Sequence, residues 1–237
     1  MSVPFFRTEF LLSQRSSSDY DQARAALYEG DYGYQLIGDV ASLGFTVNGI
    51  VPDGFRVMTM NKKVESLADM HGLKMRMPNL EIMVEIGNYL GFAVTPMSMT
   101  EVFSALEQGV IDGQENPPST IRSQGWYEIQ DYLLVSNHVF TSLFLCVNND
   151  FYNSLDSELQ NILDEVIDET CAQIWDTAQT QAQEDLDYMS SEGGIEVYEP
   201  SDSFRQEMVE ATAPMYDNMY ETAPEVEEVI NAIQAIQ

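Results

Sequence analysis

Apolar and polar positions repeat with two different periods along this chain. Short runs with a period of two predict strands; in 73–78, three apolar side chains face one way while Lys74 and Arg76 face the other. Between such runs, apolar residues three and four positions apart predict helices. Strands that alternate with helices indicate an α/β protein rather than a helix bundle.

The longest helical pattern covers about 156–190, where an apolar stripe that includes Leu159, Ile162 and Val166 lies opposite acidic residues. At 1.5 Å per residue this helix is roughly 50 Å long, enough to brace two lobes. Shorter helices are predicted at 19–29, 79–90, 98–109 and 119–134. Strands are predicted at 34–37, 44–51, 55–60, 92–95, 138–147 and 195–198.

Several dipeptides and spacings predict how these elements end. Pro52-Asp53-Gly54 predicts a turn, and so does Asp112-Gly113, which three polar residues follow. Ser98 and Glu101 have capping-box spacing at the start of the 98–109 helix. The stripe predicted to be buried on that helix comprises Val102, Phe103, Ala105 and Leu106.

Composition and charge narrow the class of protein. The 237 residues are 44% hydrophobic, which suits a folded protein with a substantial core. Their formal net charge is −29, from 39 acidic and 10 basic side chains. Such acidity makes nucleic acids and anionic membrane surfaces poor partners. It also fits a secreted or high-salt setting.

The basic residues are unevenly distributed, since five of the ten lie between positions 56 and 76. Lys62 and Lys63 follow an asparagine in a predicted turn, so we interpret them as surface residues. Arg56 and Arg76 are flanked by alternating apolar residues, and we interpret them as anion-binding candidates. A guanidinium donates two parallel hydrogen bonds to a carboxylate, which an ammonium does not.

The block from 73 to 117 resembles the substrate-binding proteins of TRAP transporters, the tripartite ATP-independent periplasmic carriers. The residues that carry the resemblance are Leu-Lys-Met-Arg-Met-Pro (73–78), Thr-Pro-Met-Ser-Met-Thr-Glu-Val (95–102) and Val-Ile-Asp-Gly-Gln-Glu-Asn-Pro (110–117). The resemblance implies an α/β, two-lobed periplasmic-binding-protein-like fold, with a hinge cleft and a long bracing helix. It implies lobe 1 over 1–53 plus about 142–181, and lobe 2 over 54–141 plus about 182–237.

Matched position by position, the family pattern implies three ligand-binding residues. Arg76 falls at the principal carboxylate-binding arginine, Arg56 at a supporting arginine, and Asn116 at the amide that completes the clamp. The implied ligand is a small organic acid: a dicarboxylate, a sugar acid or a keto acid. The implied partners are the integral membrane subunits of the transporter, and no cofactor, metal or catalytic residue is expected.

The family is exported, so the resemblance also implies a periplasmic or extracytoplasmic location. The first residues here have neither a basic start nor a cleavage motif. We therefore expect the chain to be truncated at its N-terminus, with an incomplete first lobe.

Alternative interpretations remain open at this stage. The same fold could serve as the ligand-sensing module of a signalling system, and a hydrolase could use Asp112 or Glu115 with His138. Asn116, which precedes a proline, could cap a helix. Cys146 and Cys171 lack metal or redox spacing, and we expect both to be buried free thiols; a disulfide and a catalytic cysteine are the alternatives.

Overall fold

The computed structural model describes residues 10–11, 20–30, 32–33, 43–222 and 224–234. The predicted strand at 34–37 lies outside these residues. The strands are β1 (Phe10–Leu11), β2 (Phe45–Phe55), β3 (Val57–Met60), β4 (Lys74–Met77), β5 (Ala93–Pro96), β6 (Gly113–Asn116), β7 (Tyr132–Leu134), β8 (Val139–Asn148) and β9 (Glu196–Tyr198).

The helices follow the periodic segments between the strands. They are α1 (Tyr20–Leu27), α2 (Leu67–Met70), α3 (Glu81–Tyr89), α4 (Val102–Glu107), α5 (Pro118–Ser123), α6 (Asn149–Ser154), α7 (Ser157–Ser191), α8 (Asp202–Thr212), α9 (Pro214–Thr222) and α10 (Pro224–Gln234). Short 3₁₀ turns cover Met99–Glu101 and Trp126–Glu128. Within this described part, no helix combines the length and the hydrophobicity that crossing a membrane requires.

Over the described residues, the strands form two separate sheets. The smaller sheet has the antiparallel order β1-β8-β2, and the larger one has the order β5-β4-β6-β3-β7-β9. In the larger sheet β4 runs parallel to both β5 and β6, while β3 runs antiparallel to β6 and β7. This mixed α/β arrangement agrees with the predicted fold class.

The chain passes between the two sheets at adjacent points. Arg56 separates β2 from β3, and residues 135–138 separate β7 from β8. The backbone N–H of Arg56 donates to the carbonyl of Val139 at 2.8 Å, which ties the two crossings together. Residues at these crossings therefore lie where one sheet meets the other.

The long helix α7 contacts both sheets. Near its middle, Ile167 and Cys171 pack with Val51 of the smaller sheet. Near its end, Leu186 and Met189 join the core of the larger sheet. The predicted bracing helix is thus confirmed as an element of 35 residues, capped by Asp156, whose carboxylate accepts from the N–H of Leu159 at 2.9 Å.

Two apolar clusters pack on the larger sheet, and the first is rich in methionine. One face packs on helices α3 and α8, and its buried residues include Met58, Met60, Met75, Met77, Ile86 and Phe204. Another cluster joins the sheet to α4, α5 and α7 through Val57, Val102, Ile121, Trp126 and Leu186. The smaller sheet has its own core, in which Phe140 stacks on Trp175 with ring centroids 6.2 Å apart.

The predicted turn at Pro52-Asp53-Gly54 is wrong. Strand β2 continues through these residues to Phe55, with a register shift between Pro52 and Gly54 opposite β8. Gly54 has φ +115, a backbone conformation that L side chains rarely adopt. The turn-forming residues therefore build a β-bulge, because pairing with β8 keeps the strand extended.

The predicted helix at 119–134 is also wrong beyond its first turns. Helix α5 ends at Ser123, Gly125 takes a left-handed φ of 69, and β7 begins at Tyr132. Leu133 and Leu134 are both fully buried between β3 and β9. A strand that is buried on both faces is continuously apolar. Over so short a run, hydrophobic periodicity does not distinguish such a strand from a segment of buried helix.

Some predicted core positions face solvent instead. Phe103 is 40% exposed, and Leu159, Ile162 and Val166 on the first half of α7 are each about half exposed. The sequence pattern locates an apolar stripe but does not say which part of it meets a neighbour. Cys171 is buried as predicted, whereas Cys146 is exposed, and both are free thiols.

Candidate functional site

Three neighbouring strands bring the predicted binding residues to one edge of the larger sheet. Arg76 on β4 pairs with Gln114 on the parallel strand β6. Asn116 ends β6 and pairs with Val57, the residue after Arg56, on the antiparallel strand β3. Parallel strands end at the same sheet edge, and an antiparallel strand begins there, so the three side chains share that edge.

The central strand β6 was not predicted, because its sequence Gly-Gln-Glu-Asn is polar. All four residues are buried, and the three polar side chains find partners within β6, on β3 and at Arg56. Gln114 donates to the Thr59 hydroxyl at 2.9 Å, and Asn116 donates to the Gln114 carbonyl oxygen at 2.8 Å. Such polar pairing is what a buried polar strand requires.

Gly113 lets this strand approach β3 closely. A Cβ at that position would lie 2.4 Å from the carbonyl oxygen of Thr59, closer than real Cβ atoms come. The Asp-Gly dipeptide therefore reflects close backbone packing, with only a bend at Asp112. The Asp112 carboxylate accepts from the backbone N–H of Lys74 at 2.8 Å, which fixes the entry to β6.

Arg56 is buried and held by the end of β6. Its Nε donates to Glu115 Oε2, and its Nη2 contacts Glu115 Oε1 at 3.0 Å and the Glu115 carbonyl at 2.9 Å. Nη2 also donates to Asn116 Oδ1 at 3.0 Å. The guanidinium thus forms a two-pronged ion pair with one residue and orients the amide of the next.

Glu115 is fully buried between two cationic or potentially cationic groups. His138 Nε2 lies 3.4 Å from Glu115 Oε2, and the other ring nitrogen contacts the Ser136 hydroxyl at 2.8 Å. Burial opposes ionisation of Glu115, but Arg56 and His138 outweigh burial and hold the pKa of the carboxyl below its ordinary value. Glu115 is therefore the counter-ion of Arg56 at neutral pH.

Arg76 differs, because its partner is a backbone carbonyl. Its Nε and Nη2 donate to the Met97 oxygen at 3.1 and 2.9 Å, and the residue is only 4% exposed. No carboxylate among the described residues pairs with it, and Nη1 has no partner there. Burial lowers the pKa of Arg76, as does the charge of Arg56, while Glu115 opposes them.

The structure brings Arg56 and Asn116 into direct contact and places Arg76 on the adjoining strand. The assignment of these three residues to a ligand stays a prediction. Asn116 does not cap helix α5, since the N-cap residue is Pro117 and no side chain caps the helix. Sequence reasoning missed Glu115 as the partner of Arg56, although Glu115 immediately precedes Asn116 and lies within the block that carries the resemblance.

Of the alternative hydrolase residues, Glu115 and His138 lie together, 3.4 Å apart, whereas Asp112 is engaged elsewhere. Asp112 bonds the backbone of Lys74, while Glu115 and His138 belong to the Arg56 ion pair. Throughout the ranges that the structure describes, no three His, Cys, Asp or Glu residues are placed to hold a metal ion. Lys62 and Lys63 are on the surface, paired with Asp69 and Glu196.

Comparison with known proteins identifies the family to which this chain belongs. The model of the bacterial extracellular solute-binding proteins, family 7 (DctP), matches residues 1–223. The chain belongs to this family. The resemblance to TRAP solute-binding proteins is thereby confirmed, and so is the two-lobed fold that it implies.

Two relatives with assigned names match this chain at moderate identity. The C4-dicarboxylate-binding periplasmic protein DctP of Rhodobacter capsulatus is 30% identical over 203 residues, which cover 86% of this chain and 61% of that protein. The sialic acid-binding periplasmic protein SiaP of Vibrio cholerae is 29% identical, with 89% and 64% covered. The chain therefore spans less than two thirds of the length of these curated relatives.

Solved structures of TRAP solute-binding proteins match over nearly the whole chain. One from Haemophilus influenzae, with bound L-gulonate, has 30% identity and a TM-score of 0.82, covering 97% of this chain and 73% of that one. The sugar acid binding protein DctPAm from Advenella mimigardefordensis, in complex with galactonate, has 27% identity and a TM-score of 0.86, with 98% and 73% covered.

Proposed function

We propose that this protein captures a small organic acid by its carboxylate in the cleft between the two lobes. Arg76 is the principal ligand of the carboxylate, Asn116 completes the clamp, and Arg56 supports it by orienting Asn116. One observation carries this assignment: Arg76 is a buried guanidinium without a carboxylate partner among the described residues.

The isolation of Arg76 matters because acidic residues outnumber basic ones by 39 to 10. The other described arginines, at positions 24, 56, 122 and 205, each pair with an acidic side chain. Lys74 also lacks an ion pair among the described residues, but its side chain is exposed. A buried charge without a counter-ion is costly, and a bound carboxylate removes that cost.

Sugar acids are the ligand class that we favour. The relatives solved with L-gulonate and with galactonate match this chain over almost its full length. Arg56 is neutralised by Glu115, so the described part of the site offers the single unpaired charge of Arg76. A monocarboxylate matches one such charge, and gulonate and galactonate each carry a single carboxylate.

Lobe closure and delivery complete the proposal. We assign lobe 1 to 1–53 plus about 142–181 and lobe 2 to 54–141 plus about 182–237, because β2 and β8 share one sheet and β3 to β7 and β9 share the other. Helix α10 is the exception, since its Ile230 and Ile233 pack in the core of the smaller sheet. Closure around the ligand occurs about the crossings at Arg56 and 135–138. The closed protein, located in the periplasm, then delivers the acid to the membrane subunits of a TRAP transporter.

A matched pair of ligands tests the carboxylate assignment. Galactonate and galactitol share a carbon skeleton and most hydroxyls, but galactitol has no carboxylate. We expect galactonate to raise the melting temperature and galactitol to leave it unchanged. Bound ligand at about a hundredfold excess over its Kd stabilises the folded state by ~2.7 kcal/mol.

Equal shifts with both compounds, or no shift with any of a panel of sugar acids, dicarboxylates and keto acids, would overturn the proposal. Transport is tested separately by adding the protein to vesicles that contain the membrane subunits. We expect uptake of the acid to depend on this protein. Binding without such uptake would favour the ligand-sensing module instead.

A further inference from the structure

The β-bulge in β2 places a carboxylate beside Arg56. Asp53 is the residue at the register shift between Pro52 and Gly54, immediately before the crossing at Arg56. Bulges re-aim a side chain and are over-represented next to binding and active sites. The Asp53 carboxylate lies 4.0 Å from Nη1 of Arg56, and its side chain is 26% exposed.

Asp53 belongs to the smaller sheet, whereas Arg76, Asn116 and Glu115 belong to the larger one. Its Oδ2 accepts a hydrogen bond from the Thr141 hydroxyl at 3.1 Å, and Thr141 lies on β8, opposite Gly54. This bond orients the carboxylate. Within the described ranges Oδ1 accepts no hydrogen bond, and the partial exposure of the side chain leaves it accessible.

The position of Asp53 has two chemical consequences. An ionised carboxylate accepts hydrogen bonds and donates none, so it favours a ligand that brings hydroxyl groups. It also repels a second negative charge, and like charges facing each other suppress the wrong partner. Burial raises the pKa of Asp53 against the opposing charge of Arg56, which agrees with an environment where additional negative charge is unfavourable.

We propose that Asp53 is a specificity residue that selects hydroxylated monocarboxylates and excludes dicarboxylates. The ligand carboxylate lies on Arg76 of the larger sheet, and a hydroxyl group of the same ligand donates to Asp53 Oδ1 of the smaller sheet. The ligand thus connects the two sheets. This inference rests on the proposed function, because it requires an acid bound at Arg76.

Three acids with six-carbon chains separate the hydrogen bond from a ligand hydroxyl to Asp53 from the repulsion of a second ligand carboxylate. Galactonate has one carboxylate and several hydroxyls, hexanoate has one carboxylate and no hydroxyl, and adipate has two carboxylates and no hydroxyl. Isothermal titration calorimetry measures each acid with the wild type, with Asp53→Asn and with Asp131→Asn. Asp131 is exposed, so the last variant removes one negative charge elsewhere.

We expect the wild type and Asp131→Asn to bind galactonate more tightly than hexanoate, and adipate weakest. In Asp53→Asn, galactonate affinity falls roughly tenfold to a hundredfold, the range for a hydrogen bond to a charged group. Adipate affinity rises in the same variant, and hexanoate affinity stays the same. Thr141→Val removes the hydrogen bond that orients the Asp53 carboxylate. It also lowers the preference for galactonate over adipate, but by less than Asp53→Asn does.

The outcomes distinguish this inference from the function on which it rests. A folded wild type that binds none of the three acids, and no other sugar acid, dicarboxylate or keto acid of the panel above, contradicts both. A wild type that binds galactonate, combined with an unchanged galactonate-to-adipate preference in Asp53→Asn, contradicts the role of Asp53 alone. If Asp53→Asn fails to fold, an unchanged preference in Thr141→Val has the same meaning.

Discussion

Two arginines on neighbouring parts of one sheet edge have opposite surroundings. Arg56, at the crossing between the sheets, is paired with the buried Glu115 and contacts Asn116. Arg76, on β4, is equally buried but is held by the Met97 carbonyl. Residue type and burial therefore do not distinguish the two arginines, but their partners do. We propose that Arg76 binds the ligand for this reason, because a carboxylate within the protein already neutralises the charge of Arg56.

The difference also assigns separate tasks to the two side chains. The ion pair of Arg56 with Glu115 fixes the end of β6, and the same guanidinium fixes the orientation of Asn116. The Met97 carbonyl holds Arg76 in place without cancelling its charge. We therefore expect changes near Arg56 to act first on stability and changes at Arg76 to act first on affinity.

The largest expected effect comes from removing the counter-ion of Arg56. Glu115→Ala leaves a buried guanidinium without its carboxylate, which we expect to lower the free energy of unfolding by about 3–5 kcal/mol. Urea denaturation measures this loss. Glu107→Ala, which removes an exposed carboxylate, is the control and stays close to the wild type. A Glu115→Ala protein as stable as the control would show that the ion pair does not hold the strand.

The next effect tests whether the backbone of β6 supports both arginines. Gly113→Ala introduces a Cβ 2.4 Å from the Thr59 carbonyl oxygen, so β6 must shift away from β3. We expect a loss of about 1–3 kcal/mol in stability, in the range for overpacked sites. Galactonate affinity should fall as well, because Asn116 moves with the strand. Normal stability and affinity in this variant would contradict the close packing.

Acid should lower the free energy of unfolding by protonating Glu115, the counter-ion of Arg56. The pKa of Glu115 is lowered below its ordinary value of 4.5 in the folded protein. Its contribution to stability is therefore present above that ordinary value and is lost as the pH falls through the lowered pKa. We expect the unfolding free energy of the wild type to fall more steeply with acid over this range than that of Glu115→Gln. Parallel curves would mean that Glu115 has no such role.

The smallest expected effect is that of salt, which distinguishes repulsion between surface charges from the attraction within the buried Arg56–Glu115 pair. At a net charge of −29, self-repulsion destabilises the folded state, and salt screens it. We expect the melting temperature to rise as ionic strength increases from ~0.05 to ~1 M. The stability difference between wild type and Glu115→Gln should change little, because buried pairs are screened much less than exposed ones. A melting temperature that falls with salt would contradict this prediction.

Sequence reasoning reached the α/β class, the long helix α7 and the strand that carries Arg76, since each has a clear period. It failed where tertiary packing overrides local preference. The polar strand β6 forms because Gln114 and Glu115 find partners on β3 and at the crossing, which no local pattern reveals. The bulge at Asp53 was predicted as a turn for the same reason: its residues favour turns, but pairing with β8 keeps them extended.

The most direct test of the central claim is the affinity of Arg76→Lys for galactonate, measured by calorimetry beside Arg122→Lys. Arg122 lies on α5 and pairs with Asp185, so its replacement makes the same chemical change at a structural ion pair. Because an ammonium does not supply the guanidinium fork, we predict that Arg76→Lys loses roughly tenfold to a hundredfold in affinity while Arg122→Lys binds like the wild type. Wild-type affinity in Arg76→Lys would contradict the account.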